Sequence, residues 1–297
     1  MSGPESLAAA SVAALGLAER SLGELTADIA SAAVEAAIRA GELQLESLGA
    51  IRAGDVRTKS SMRDLVTEVD VNSERLIVSA LRAAAPGFTV EAEEEASDED
   101  SGAPRWIVDP LDGTVNFVHD LPVFAVSIAL YADSGRRPLL GIVHVPRLGE
   151  TFIAAEGRGA YLVSAASSAD AAPTSRRLSI SRPDGLADAI LATGFPYRWG
   201  ELPNSNLENF NAFFYEVRGV RRMGAAAVDL AYVAAGRLDG YWELHLGAHD
   251  VAAGALLVRE AGGEVTDLHG GDNWLRLGHV VAADASLAAK LRERLVV

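Results

Sequence analysis

The chain has 297 residues, 41 acidic against 26 basic side chains and a formal net charge of −15. That balance excludes a broad surface for nucleic acid or an anionic membrane, and neither partner is expected. There is no cysteine, so disulfides and thiolate metal sites are excluded and any metal must be held by oxygen or imidazole. Hydrophobic residues at 49% and charged residues at 23% are ordinary for a globular protein with a sizeable core.

The Ala-rich N-terminus has no basic stretch ahead of its apolar part, and no apolar run is long enough to span a bilayer. Cytoplasmic location is the expectation. Residues 1–22 read as a weakly patterned extension. Residues 23–297 read as a single domain with two α/β halves, about 23–183 and 184–297.

A helix is expected over Ala27–Glu46, where Ile29, Ala33, Val34, Ala37 and Ile38 recur at helical spacing. A polar loop, Lys59–Asp64, leads into Leu65–Asp70. The next helix carries Leu76, Ile77, Ala80, Leu81 and Ala84 on one stripe and is stopped by Pro86-Gly87. After the acidic run Glu91–Asp100 comes a short apolar strand ending at Asp109.

The middle is strand-rich. Ala125–Tyr131 and Leu139–Val145 read as strands joined by a turn at Asp133-Ser134-Gly135. Thr151–Ala155 and Ala160–Val163 form a second pair, and Ser164–Ser175 reads as a loop. The last third alternates. Strands are expected at Ile190–Thr193, Gly240–Leu244 and Val280–Ala283. Helices are expected at Leu207–Val217, Ala225–Ala235, Val251–Ala261 and Ser286–Leu295, the second ended by Gly236. Alternation at the ends with hairpins between predicts layered sheets and helices.

The segment Trp106-Ile107-Val108-Asp109-Pro110-Leu111-Asp112-Gly113-Thr114-Val115-Asn116-Phe117 concentrates the chemistry. Asp-Gly after a proline is an ordinary turn signal. It is also the pattern of a strand that stops and delivers two carboxylates to one spot, where a hard cation such as Mg²⁺ prefers oxygen donors. Gly113 and Thr114 follow with backbone N–H groups at a chain reversal, suited to an anion. The combination points to metal-assisted attack of water on a phosphate ester.

Other acids are ambiguous on spacing alone. Glu93, Glu94 and Glu95 read either as a solvated run, as Asp98–Asp100 do, or as metal ligands at a strand edge beside Asp109. Asp70 reads as an N-cap or as the partner of a catalytic hydroxyl. Asp250 reads as the cap of a nearly all-apolar helix or as a further ligand. The six histidines show no metal-ligand spacing, and neither a nucleophilic-serine elbow nor a Walker loop is present.

Asp109–Phe117 resembles the first signature of the inositol monophosphatases, and Asp250–Gly254 through Glu260–Gly263 resembles the second. Ala92-Glu93-Glu94, Lys59–Asp70, Arg222–Ala227 and Gly240–Glu243 are similar to further family segments, in the expected order from about Asp28 onward. The resemblance implies an α/β (α+β) fold, a layered αβαβα sandwich, and Mg²⁺-dependent hydrolysis of a small phosphomonoester with two to three ions. It implies that Glu93, Asp109 and the Leu111 carbonyl hold one Mg²⁺, that Asp109, Asp112 and Asp250 hold a second, and that a looser third ion sits near Glu93. Thr114 would touch the nucleophilic water and be oriented by Asp70, with Glu94 in support. Gly113, Thr114 and Asp112 would bind the phosphate side of the substrate, and Ala226 and Glu243 its hydroxyls.

The resemblance further implies a homodimer and lithium sensitivity. Inositol monophosphate or a similar polyol phosphate is the expected substrate. Histidinol phosphate, fructose 1,6-bisphosphate and 3′-phosphoadenosine 5′-phosphate are the alternatives within the superfamily, and a regulatory role on the transcription machinery is the alternative outside catalysis. Three departures stand out: His249 precedes Asp250 where many relatives have tryptophan, Ala92 replaces a glycine, and the Ser164–Ser175 loop is long.

Overall fold

The computed structural model describes residues 3–49, 56–58, 65–133, 135–165, 172–197, 201–202 and 204–296. Two helices, α1 (Pro4–Ala14) and α2 (Ala27–Ser47), precede a short antiparallel pair, β1 (Val56–Thr58) and β2 (Leu65–Thr67), and helix α3 (Glu68–Ala84). Strands β3 (Thr89–Ala92) and β4 (Arg105–Asp112), the short helix α4 (Thr114–Val118), and strands β5 (Ala125–Ala132), β6 (Arg137–Val145), β7 (Glu150–Ala155), β8 (Gly159–Ser164) and β9 (Thr174–Arg177) follow. The remainder runs β10 (Ile190–Thr193), α5 (Leu207–Phe214), β11 (Gly219–Arg221), α6 (Ala226–Ala234), β12 (Gly240–Glu243), α7 (Ala248–Glu260), β13 (Glu264–Thr266), α8 (Trp274–Leu277), β14 (Val280–Ala283) and α9 (Ala285–Arg292).

Strands β3 to β9 form one sheet in chain order, with β3 parallel to β4 and every other pair antiparallel. A five-stranded sheet has the order β11-β10-β12-β14-β13. Side chains alternate across a strand, and that period assigns the layers. Trp106 and Val108 of β4 pack with Val126, Ile128 and Leu130 of β5 beneath α1, α2 and α3. Ile107, Ala129 and Tyr131 face the other way, onto α6 and α7 and the inner face of the smaller sheet at Tyr241, Val280 and Ala282. The outer face of that sheet, Leu191, Trp242 and Val281, is covered by Phe213 of α5 and Leu287 and Leu291 of α9. The order is helix, sheet, helix, sheet, helix, the expected αβαβα sandwich.

Helix α7 is the middle of that stack. Val251 through Val258 are all buried, as befits a helix apolar all round. It lies so close to β6 that a Cβ on Gly141 would fall 2.7 Å from the Ala253 carbonyl oxygen, so the position admits only glycine without movement.

Several elements differ from the sequence expectation. Residues 4–14, taken for part of a weakly patterned extension, are the helix α1, whose Leu7, Ala8 and Val12 join the core beside α2. Alanine has the highest helix propensity, and short apolar side chains pack without a strong periodic signal. Strand β4 continues through the proline to Asp112. Helix α5 stops at Phe214, and α7 starts at Ala248. Strand β9 begins within the last two residues of the predicted loop and pairs with β8 although all four of its residues are exposed. Lys59–Asp64 and residues 166–171 lie outside the described residues.

Candidate active site and metal centre

The site begins where β4 loses its partner. Asp109 sits opposite Ser127 of β5, and the register shifts between Asp109 and Asp112. Pro110 has no N–H to give the ladder, so the chain bulges there. Two contacts hold the bulge. Gln44 Nε2 of α2 donates to the Pro110 carbonyl at 2.7 Å, and the Leu111 N–H donates to Asp109 Oδ1 at 2.9 Å. Gly113 then turns the chain with φ +89°, and a Cβ there would lie 3.0 Å from the Val123 carbonyl oxygen. Glycine is required for both conformation and space. The turn delivers Thr114 as the first residue of α4.

Thr114 Oγ1 lies 2.9 Å from Asp70 Oδ1 and 3.1 Å from the Leu111 carbonyl oxygen. Asp70 is neither a plain cap nor a free carboxylate. Thr67 is the N-cap of α3, and Asp70 Oδ2 accepts from the Thr67 N–H at 2.8 Å and the Thr67 hydroxyl at 2.6 Å. One carboxylate oxygen builds the capping box, and the other meets Thr114. The two sequence readings of Asp70 therefore coexist.

Glu93 reaches Asp109 because β3 runs parallel to β4 and the Glu93 N–H donates to the Val108 carbonyl. The turn after it is held by a residue that sequence reasoning missed. Glu74 of α3 is buried, and its carboxylate accepts from the backbone N–H groups of Glu94, Glu95 and Ala96 at 2.6, 2.7 and 2.8 Å. Of the acids that follow, Glu95 pairs with Arg75. Asp98 is not simply solvated: it accepts from the Val90 N–H and pairs with Arg82. Asp250 stands third in α7 rather than at its cap, and accepts from the Gly247 N–H. Asp112 Oδ2 accepts from the Ala227 N–H at 2.7 Å, so the first turn of α6, bearing Ala226, meets this carboxylate with its positive dipole end.

The structure thus brings one carboxylate oxygen each from Asp109, Asp112 and Asp250 within 4.8 Å of one another. A second group shares Asp109: Glu93, Asp109 and His249 also lie within 4.8 Å. Asp109 is 1% exposed and Asp112 7%, and among the described residues neither is ion-paired with lysine or arginine. Burial pushes the Asp109 carboxyl well above its usual range, and the charges of Glu93, Asp112 and Asp250 push it further. Burial and Asp250 do the same to Asp112, against the Ala227 hydrogen bond. Buried carboxylates that repel one another fit a bound divalent cation, which supplies the missing positive charge to hard oxygen donors.

Asp112 and Asp250 also line a pocket whose other walls include Gly194, Tyr197, Arg222, Ala226, Glu243 and His245. Glu243 Oε2 accepts from the Tyr241 hydroxyl at 2.6 Å, and burial raises its carboxyl to about 7. Asp229 of α6 is buried nearby and is likewise raised by burial and by Glu243. Of the predicted residues, Asp112, Asp250, Ala226 and Glu243 share the pocket wall. Glu93, Asp109, Leu111, Gly113, Thr114 and Asp70 are linked to its acidic end through the turn after β3, β4, α4 and α3. Tyr197 and Gly194 were missed, and Arg222 was read only as part of a family-like segment. They come from loops after β10 and β11, where spacing carries no periodic signal. His249 was set aside as a ligand, because the donors it joins are distant in sequence.

A sequence model of the inositol monophosphatase family matches residues 26–296. The chain belongs to the inositol monophosphatase family. It is 43% identical over 257 residues to a Nus factor SuhB of Pseudomonas aeruginosa, covering 85% of this chain and 90% of that one. It is 41% identical over 263 residues to an inositol-1-monophosphatase of Rhizobium meliloti, covering 88% and 93%. Among solved structures, the extragenic suppressor protein suhB of Bartonella henselae matches with a TM-score of 0.77 at 38% identity, over 89% of this chain and 96% of that one. An inositol monophosphatase from Anabaena matches with a TM-score of 0.75 at 33% identity, over 89% and 93%. Membership in the family accounts for the five layers and for the acids gathered at the end of β4. No helix among the described residues is long and apolar enough to cross a membrane.

Proposed function

We propose that the chain is a Mg²⁺-dependent phosphomonoesterase acting on inositol monophosphate or a similar small polyol phosphate, as a cytoplasmic homodimer. The observation that carries this reading is the sharing of Asp112 and Asp250 between the carboxylate cluster and the pocket. An ester bound in that pocket would have its phosphate at the acids and its alcohol against Ala226 and Glu243.

Glu93, Asp109 and the Leu111 carbonyl would hold one Mg²⁺, and Asp109, Asp112 and Asp250 a second. Mg²⁺ held there would lower the pKa of a bound water and offset charge on the phosphate and the leaving oxygen. The protein's own part is positional. The Thr114 hydroxyl donates a hydrogen bond to Asp70 Oδ1, and its oxygen would accept a hydrogen bond from the attacking water and so orient it. The amides of Gly113 and Thr114, at the turn into α4, would cradle phosphate oxygens. Glu243, held by Tyr241, would form hydrogen bonds with substrate hydroxyls. Glu94 supports the ligands through the loop that Glu74 anchors.

The direct test is phosphate release from a panel of phosphomonoesters with Mg²⁺, with and without chelator. Chelator-sensitive turnover of a polyol monophosphate is expected. Exclusive turnover of histidinol phosphate, a sugar bisphosphate or 3′-phosphoadenosine 5′-phosphate would redirect the substrate, and no turnover of any would refute the enzyme reading. A regulatory role has one observation in its favour, the similarity to proteins named Nus factor SuhB. Its signature would be co-purification with RNA polymerase that persists undiminished in a metal-ligand variant.

A further inference from the structure

One metal-adjacent side chain has no part in that reading. His249 is the second residue of α7, immediately before Asp250. Its backbone is fixed by Ser127, whose hydroxyl donates to the His249 carbonyl at 3.2 Å. Its ring lies over Gly247: a Cβ there would fall 2.4 Å from Cε1 and 2.6 Å from Nε2. The glycine therefore leaves the space the imidazole occupies. The side chain is 26% exposed, with Nε2 3.8 Å from Asp250 Oδ2. Neither ring nitrogen makes a hydrogen bond among the described residues. One of them lies within 4.8 Å of carboxylate oxygens of both Glu93 and Asp109.

Two donors on one ion are separated by at most twice the metal–ligand distance, about 4.2–4.6 Å for imidazole and carboxylate ligands. The 4.8 Å within which these donor atoms lie is close to that limit, and among the described residues no hydrogen bond fixes the imidazole against a small rotation. The donor set is then one nitrogen and two carboxylates, not an all-oxygen shell. Mg²⁺ suits oxygen and water, whereas imidazole suits first-row transition ions.

We propose that His249 is a metal ligand: with Glu93 and Asp109 it makes one side of this centre a nitrogen-containing position that favours a divalent first-row transition ion over Mg²⁺, with Mn²⁺ as the paramagnetic probe. The inference rests on the metal-centre reading above but goes beyond it in ligand and in ion. The position adjoins the one framed by Asp109, Asp112 and Asp250, and Asp109 bridges the two.

The test is pulsed electron paramagnetic resonance of the full chain loaded with Mn²⁺ alone, with calorimetric binding of Mn²⁺ and Mg²⁺ alongside. Bound Mn²⁺ is expected to show nitrogen-14 modulation that switches to nitrogen-15 on histidine labelling and disappears in His249→Phe. Mn²⁺ affinity should fall about tenfold or more in that variant, while Mg²⁺ affinity changes much less, in keeping with the loss of one donor. His249→Trp, another aromatic replacement without a metal-ligating nitrogen, gives a second variant and should behave the same way. Tight Mn²⁺ binding without nitrogen modulation would overturn the inference and leave the carboxylate centre standing. Failure to bind any divalent ion would overturn both.

Discussion

Single side chains at this site do two jobs at once, and that duality decides what their replacement does. Asp112 is buried, raised by its surroundings, and accepts the Ala227 N–H. Asparagine can still accept that bond but brings no charge to an ion. Asp112→Asn is expected to lower phosphatase turnover at least ~10³-fold, the scale lost when transition-state charge loses its stabilisation. Its metal-free melting temperature should match or exceed the wild type, because a buried repulsion is removed. Near wild-type rates, or an unfolded variant, would contradict the assignment. Glu243 gives a pH dependence. Its carboxyl is raised by burial to about 7 from an ordinary 4.5, so the folded protein holds a proton that the unfolded chain releases. The stabilisation is complete below pH 4.5 and is lost as pH rises through 7. Relative to Glu243→Gln, the metal-free wild type should lose up to about 3 kcal/mol over that window, measured by denaturant unfolding. A gap that stays constant with pH would show that Glu243 does not titrate in this way.

Elements place these residues, and α7 is the one to perturb. It supplies His249 and Asp250 at its first turn and is seated by the absence of a Cβ at Gly141. Gly141→Ala puts a methyl against the Ala253 carbonyl, a backbone atom that cannot rotate aside. The expected cost is about 1–3 kcal/mol of stability, with weaker metal binding as α7 shifts, read by thermal melting and metal titration. Loss of stability with unchanged metal affinity would mean that the helix tilts about its first turn. The strands β5, β6, β7 and β8 were readable because apolar runs bounded by turns are a direct sequence signal. The acids around Asp109 were readable because the bulge brings Asp109 and Asp112 together within four residues. Helix α1 was not, since an Ala-rich segment has little periodic contrast. Neither were Glu74, which acts on backbone N–H groups about 20 residues away, and the loop residues Tyr197 and Arg222, whose roles exist only after β10, β11 and β12 pair. His249 shows the same limit: its neighbours Glu93 and Asp109 are remote in sequence and meet it only because α7 crosses the end of β4.

At the scale of the molecule, the carboxylate cluster is a joint. Asp109 and Asp112 come from the larger sheet and Glu93 from the turn that follows its strand β3, whereas Asp250 comes from the helix sandwiched between the two sheets. Without a cation these charges oppose the packing that brings them together, in a chain already at −15. A divalent ion reverses the sign of that contribution, because it binds the folded arrangement and has no equivalent in the unfolded chain. At a metal concentration 100 times the dissociation constant the linkage is about 2.7 kcal/mol. For a chain of this size that corresponds to a rise in melting temperature of about 5 °C. Mg²⁺ or Mn²⁺ should raise the wild-type melting temperature by that amount, and a chelator should reverse it. Asp112→Asn should start at or above the metal-free wild type and rise much less. If the variant and the wild type rise equally, the ion is stabilising the protein elsewhere, and the acids at the end of β4 are not where it binds.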